Sequence, residues 1–343
     1  MEPMVMLWHF TNPIWFAEKG GFLNKKSPEY FTRYAKYVVD NLKDEVGLWI
    51  TFNEALTVYA GYTKLSATWP SRSRSIWNFF KMRRNITKAH ILAYREIKRF
   101  YSQTSHKSFS TISEMSQKIP TLYDTANSVA QCWVGITENN VYIPDAKNFW
   151  VTFMRRLYRR FRNFYFFKEN TPYYDFIGLN YYHISRKPNF GEKYEVVPKQ
   201  EVITEMNWEI YPEGIYHVLK DLSKFGKPIF ITENGIADQT DRLREKFIKD
   251  HLYWIWRAIQ DGADVRGYMY WSLLDNFEWH RGFGPKFGLI EVGYATLERK
   301  IRPSAYEYAK ICKTNQLEID LQILNSKLPV KGQWPHGALL AKL

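Results

Sequence analysis

Six short apolar runs, separated by segments with helical spacing, constrain the fold of this chain more than any other feature. They occupy residues 4–10, 49–54, 131–137, 175–180, 228–233 and 266–273. Between the first two, Tyr30, Tyr34, Tyr37, Val38 and Leu42 recur at helical spacing behind Ser27, read as an N-cap, and Pro28. Further amphipathic helices are expected over 77–101, 149–167 and 212–222, from the polar loop 238–241 to residue 261, and over 303–314. Residues 102–130 and 185–211 predict no defined element, and 66–75 read as a Ser, Thr and Arg-rich loop. Strands alternating with helices predict βα units around a parallel sheet.

Two of the runs end alike. Ile229, Phe230 and Ile231 lead into Thr232, Glu233, Asn234 and Gly235, and Trp49, Ile50 and Phe52 lead into Glu54. A carboxylate where a buried strand opens into a turn is half desolvated, although a solvated strand-end Glu fits either stretch alone. Two such carboxylates, far apart in sequence, face each other only in a fold that gathers strand ends at one rim.

The composition narrows the function classes. With 343 residues, of which 45% are hydrophobic, the chain can bury a large core. Aromatic residues make up 17%, enough to pack that core and to furnish flat platforms for sugar rings or bases. The net charge of +13 favours acidic surfaces without naming a partner. Two cysteines, Cys132 and Cys312, allow neither a disulfide framework nor a CxxC metal site, and no phosphate-binding glycine loop follows any predicted strand. There is no basic leader with an apolar core and no run of eighteen apolar residues, so a cytoplasmic protein without metal, cofactor, membrane or specific nucleic-acid partner is expected. The helix at 149–167 carries Arg155, Arg156, Arg159, Arg160 and Arg162 beside Phe153, Leu157, Phe161 and Phe164. An outer helix with a solvated Arg face is expected there, in preference to a membrane or nucleic-acid binder.

The motifs together resemble family 1 glycoside hydrolases, the β-glucosidase and β-galactosidase type, over residues 2–311. The resemblance rests on Thr51-Phe52-Asn53-Glu54, Gly178-Leu179-Asn180-Tyr181-Tyr182, Ile231-Thr232-Glu233-Asn234-Gly235, and the stretch from Trp271 to Phe287 with Asp275, Asn276, Phe277, Glu278 and Trp279. It implies an α/β fold of the TIM-type (β/α)8 barrel class and a retaining hydrolase of β-glucosides or β-galactosides. By motif, Glu233 would be the nucleophile and Glu54 the acid and base. Asn53 would bind the sugar 2-hydroxyl, and Asn180 and Tyr182 would line the rim, Tyr182 donating to Glu233. His9, Trp271, Glu278 and Trp279 would form the glycone pocket, with Phe287 at its edge.

The sequence departs from the family most at its start. Two strands precede the one ending at His9 in the family, supplying a Gln for the sugar 3- and 4-hydroxyls and an Arg at the nucleophile, and neither has a counterpart here. About six strands are therefore expected, with apolar edges at 4–10 and 266–273 that invite pairing. Three outcomes are open: the strands close as a smaller or distorted barrel, they pair with a second copy or a complementing chain, or they are patched by a tail at 316–343 beyond a barrel domain at 1–315. In that tail Leu317, Ile319, Leu321 and Ile323 alternate with polar residues as in a strand, while Leu317, Leu321 and Leu324 also fit a helix. Weak activity is expected, and a catalytically impaired carbohydrate-binding or split-enzyme subunit is the alternative. Ala55 stands where relatives usually have Pro.

Overall fold

The computed structural model describes residues 3–60, 75–104, 132–185, 203–319 and 339–342. Most of the loop at 66–75, most of 102–130, much of 185–211, and Leu321, Ile323 and Leu324 lie outside the described residues. One sheet holds β1 (Met4–Met6), β2 (Leu48–Asn53), β3 (Trp133–Asn139), β4 (Phe176–Asn180), β5 (Ile229–Asn234) and β6 (Val265–Tyr270), paired in chain order. The first four run parallel, with Val5 opposite Trp49, Ile50 opposite Gly135 and Ile136 opposite Ile177. The ladder reaches β5 through Ile177 N donating to Pro228 O and Tyr181 N to Glu233 O, both at 2.9 Å. These are six successive strands of a TIM-type barrel plan, in the places the apolar runs predict. β4 and β5 are buried at every position, as parallel strands covered on both faces are.

The chain forms two compact units. The first comprises Met1–Asn140, Arg160–Asn180 and Phe225–Phe230. Here α1 (Ser27–Leu42) buries Phe31, Ala35 and Val39, four residues apart, against α2 (Ile76–Thr104), which buries Met82, Ile86, Ala89 and Ala93. Phe31 stacks on Phe52 of β2 at 4.2 Å, and the Trp49 indole donates to the Tyr101 hydroxyl at 3.0 Å. Ser27 is the first helical residue and makes no side-chain cap, contrary to its expected role, since the cap position falls on Lys26. The first strand stops at Met6, short of residue 10, and Phe10 itself takes a left-handed φ of 70°. Irregular pairing nonetheless continues to Trp8, whose carbonyl accepts from Asn53 N at 3.0 Å.

The second unit comprises Val141–Arg159, Tyr181–Lys224 and Ile231–Leu343. Its helices α3 (Phe149–Arg159), α4 (Glu213–Leu222), α5 (Arg244–Gln260) and α6 (Pro303–Thr314) include a pair packed together, α4 and α5, with the Tyr216 and Trp254 rings 5.8 Å apart across it. Gln316–Ile319 is a strand, which settles that part of the tail against a helix, and it pairs antiparallel with Leu339–Lys342 in a two-stranded sheet. Leu317 is fully buried.

The expectation of a solvated Arg face on the helix from 149 holds at Arg156 and Arg160, which are exposed, and is corrected at Arg155. Arg155 is 1% exposed and donates to Pro144 O at 3.3 Å, while Phe149 and Trp150 are 73% and 71% exposed and Phe153 and Leu157 are exposed beside them. A buried carbonyl that accepts from the guanidinium lets this Arg turn inward. The predicted single helix is also interrupted, by a π turn over Arg160–Phe164 before a short helix at Tyr165–Asn170.

Candidate active site

Within the first unit the strand mouths bring four of the predicted residues into one hydrogen-bonded chain. Asn53 ends β2, Glu54 follows it, and Asn180 ends β4. Asn180 Nδ2 donates to Glu54 Oε1 at 2.8 Å and to Asn53 Oδ1 at 3.0 Å. With its oxygen so engaged, the Asn53 amide turns Nδ2 toward His9 Nε2, 3.0 Å away, which fixes that ring nitrogen as acceptor. Burial lowers the His9 pKa to about 4, so the ring is neutral.

Glu54 is 7% exposed. Desolvation raises its pKa, opposed by donors from the Asn180 and Asn139 amides and by the charge of Arg162. Its backbone is left-handed, φ 48°, and opens a π turn over Ala55–Tyr59. That turn is pinned by the buried carboxylate of Glu138, whose Oε1 accepts from Leu56 N at 2.9 Å, and by Glu54 N donating to Thr137 O at 2.8 Å.

In the second unit Glu233, near the end of β5, is 6% exposed and accepts from the Tyr182 hydroxyl at 2.6 Å through Oε2. Tyr182 and Phe287 lie 6.2 Å apart, edge to face, in a cluster with Met206 and Ala237 against which Trp208 and Trp271 pack. Asn234, fully buried, donates to Tyr181 O at 2.6 Å and accepts from the Tyr268 hydroxyl at 2.9 Å, tying the strand end to its neighbours. Gly235 is dictated by Trp271: a Cβ there would stand 1.8 Å from the Trp271 carbonyl oxygen. Trp271 is joined to Ser272 by a cis peptide bond.

Glu278 and Trp279 lie half-buried on the loop after β6, Glu278 N donating to Gly282 O at 2.7 Å. Asp275, by contrast, is structural: it takes two hydrogen bonds from Arg302, at 3.0 and 3.1 Å, and one from Gly288 N at 2.8 Å.

Asn139, Arg162, Glu138 and Trp208 were not anticipated. Asn139 was accessible in principle, since it ends β3 as Asn53 and Asn180 end theirs. No signal separates Arg162 from its four arginine neighbours. Among the described residues no group of His, Cys, Asp and Glu is arranged to hold a metal ion, and no helix is long and apolar enough to cross a membrane.

The family model described as Glycosyl hydrolase family 1 matches residues 1–317. A beta-galactosidase of Sulfolobus acidocaldarius is 31% identical, the match covering 95% of this chain and 69% of that protein. Beta-glucosidase A of Thermotoga maritima is also 31% identical, over 93% of this chain and 75% of its own length. Among solved structures, a beta-glycosidase from Pyrococcus horikoshii superposes with a TM-score of 0.76 at 35% identity, covering 96% of this chain and 75% of that one.

Proposed function

Given that this chain belongs to glycosyl hydrolase family 1, we propose that it hydrolyses β-linked glucosides or galactosides with retention, Glu233 serving as nucleophile and Glu54 as acid and base. The names of its relatives support the substrate class. The observation that carries the assignment is the setting of Glu54. Burial raises its pKa, which prepares the carboxyl to hold a proton for a leaving group, while the Asn180 amide donates to Oε1, fixing its orientation and limiting the rise.

In the first step a Glu233 oxygen attacks the anomeric carbon, the bond to the leaving oxygen breaks, and that oxygen takes the proton of Glu54. In the second, Glu54 removes a proton from water, whose oxygen displaces Glu233 and releases the sugar. Such a mechanism holds its two carboxyls about 5 to 5.5 Å apart and needs no metal or organic cofactor. The Tyr182 hydroxyl on Oε2 supports Glu233 by fixing its carboxylate plane.

Asn53 is assigned to the sugar 2-hydroxyl, with Asn180 holding both its amide and Glu54 in place. His9, Trp271, Glu278 and Trp279 take the glycone, and Phe287 its edge. Turnover by these 343 residues alone is expected to be slow, because the Gln and Arg that the resemblance calls for have no counterpart among them.

The test is release of 4-nitrophenol from the β-glucoside and β-galactoside by purified protein, beside Glu233→Gln and Glu54→Gln. Turnover well above both variants is expected. Turnover equal to theirs would overturn the assignment.

A further inference from the structure

We propose that Arg162, acting through Asn139, is a positioning residue for the Glu54 carboxyl, which it holds in the orientation and charge balance needed to serve in turn as acid and base. This rests on the assignment of Glu54 above. Arg162 Nη1 donates to Asn139 O at 3.2 Å and to Asn163 Oδ1 at 3.1 Å, while Nη2 donates to Asn139 Oδ1 at 3.0 Å. A guanidinium has donors only, so the Asn139 amide must turn its oxygen toward Arg162 and its NH2 away. That leaves the NH2 for Glu54, whose pKa the Asn139 amide lowers. By gripping both the backbone carbonyl and the side-chain oxygen of one residue, the planar fork fixes the main chain and the amide together.

Asn139 and Asn180 are partners in the register of β3 and β4, so two amides that end adjacent strands bear on the same carboxyl. Asn180 has Asn53 to hold it, and Arg162 does the same for Asn139. The π turn over Arg160–Phe164 is the local departure from helix that carries the guanidinium. Asn163, the next residue, is bonded into the same strand end, its carbonyl accepting from Asn140 Nδ2 at 3.3 Å.

The charge has its own role. An acid that must become a base within one cycle works when its proton affinity lies between the two demands. Burial alone pushes Glu54 toward permanent protonation, and a cation opposes it. Among the described residues, the other titratable groups around the Glu54 turn supply no cation. His9, after β1, is neutral; Glu138, on β3, engages Leu56 N; and Tyr59, in the π turn, is pushed up to about 12 by burial. β4 contributes the neutral Asn180.

The experiment compares pH profiles of aryl β-glucoside hydrolysis for the wild type, Arg162→Met, Arg162→Lys and Asn139→Ala, each checked for native circular dichroism. Arg162→Met is expected to move the alkaline limb of kcat/KM upward by about one pH unit, because losing a cation leaves Glu54 protonated to higher pH. It should also lower kcat on activated substrates, where the base-assisted second step limits, more than kcat/KM. Arg162→Lys should restore the limb but not kcat, since it keeps the charge and loses the fork. An alkaline limb unmoved in folded Arg162→Met, or a uniform loss on both parameters, would overturn the proposal. Should Arg162→Met not fold, Asn139→Ala decides by the same limb, with an upward shift supporting the proposal and none overturning it.

Azide rescue of Glu54→Ala separates this test from the underlying assignment. Formation of a β-glycosyl azide supports Glu54 as acid and base whatever the arginine variants do. No rescue overturns that assignment and the proposal with it.

Discussion

The Tyr182 hydroxyl lies 2.6 Å from Glu233 Oε2, a short hydrogen bond between buried groups on adjacent strand ends. The ring is itself wedged edge to face against Phe287 and 5.2 Å from Trp208, so the donor has little freedom to leave its acceptor. Removing the oxygen while keeping the ring isolates that bond. Tyr182→Phe is expected to lower kcat/KM roughly 10- to 100-fold, the equivalent of one hydrogen bond to a charged acceptor, with the melting temperature little changed. Steady-state kinetics beside a thermal melt checks both parts, and an unchanged kcat/KM would refute a role for this bond.

Gly235 is tested by its smallest enlargement. The atom in the way of a Cβ is the Trp271 carbonyl oxygen at 1.8 Å, which is backbone and has no rotamer to change. Gly235→Ala should therefore displace the strand end after Glu233 and with it Trp271, lowering stability by about 1 to 3 kcal/mol or more. Denaturant unfolding measures that cost. Glycone affinity should fall with it, seen as a raised KM, because Trp271 is the proposed sugar floor.

Much of this site is legible in sequence because strand ends carry it. Asn53, Glu54, Asn180 and Glu233 follow apolar runs that no helical period explains, and their order matches a known family. Arg162 was hidden for a physical reason. Helical periodicity shows that 149–167 has two faces, but which face turns inward depends on acceptors elsewhere in the chain. Pro144 O buries Arg155, Asp145 holds Arg156 at the surface, and a π turn brings Arg162 onto Asn139. The apolar stripe of Phe149, Trp150, Phe153 and Leu157 is left exposed for the same reason.

The loop that carries Glu278 and Trp279 depends on an ion pair. Asp275 and Arg302 side chains are 0% and 5% exposed and joined by two hydrogen bonds, with Gly288 N and the Gly288 carbonyl completing the set. Breaking such a pair from one side strands a buried charge. Arg302→Met or Asp275→Leu alone should each cost about 3 to 5 kcal/mol, whereas the double variant should cost clearly less than their sum. Urea unfolding of all four proteins gives the cycle, and additive losses would show that the two charges do not act as a pair.

Acid should destabilise the fold through two histidines remote from carboxylate chemistry. His90 and His251 are fully buried, and desolvation lowers their pKa values from 6.5 to about 4 and about 3. The folded state thus keeps both rings neutral where the unfolded chain would protonate them. Their contribution is complete above pH 6.5 and is lost as pH falls through 6.5 toward 4 and 3. In that window the unfolded state binds up to two more protons at these two rings, beside the one at His9, and stability falls with the corresponding slope. His251 adds a bond to Phe247 O at 2.8 Å and its ring lies tilted against that of Phe247 at 3.9 Å, so Gln keeps a donor at the site without a titrating ring. His251→Gln is expected to lower stability at pH 7.5 yet flatten its decline between pH 6 and 4.5 by close to one proton. Unfolding free energies measured across that range decide the matter, and an undiminished slope in the variant would mean that the acid sensitivity arises elsewhere.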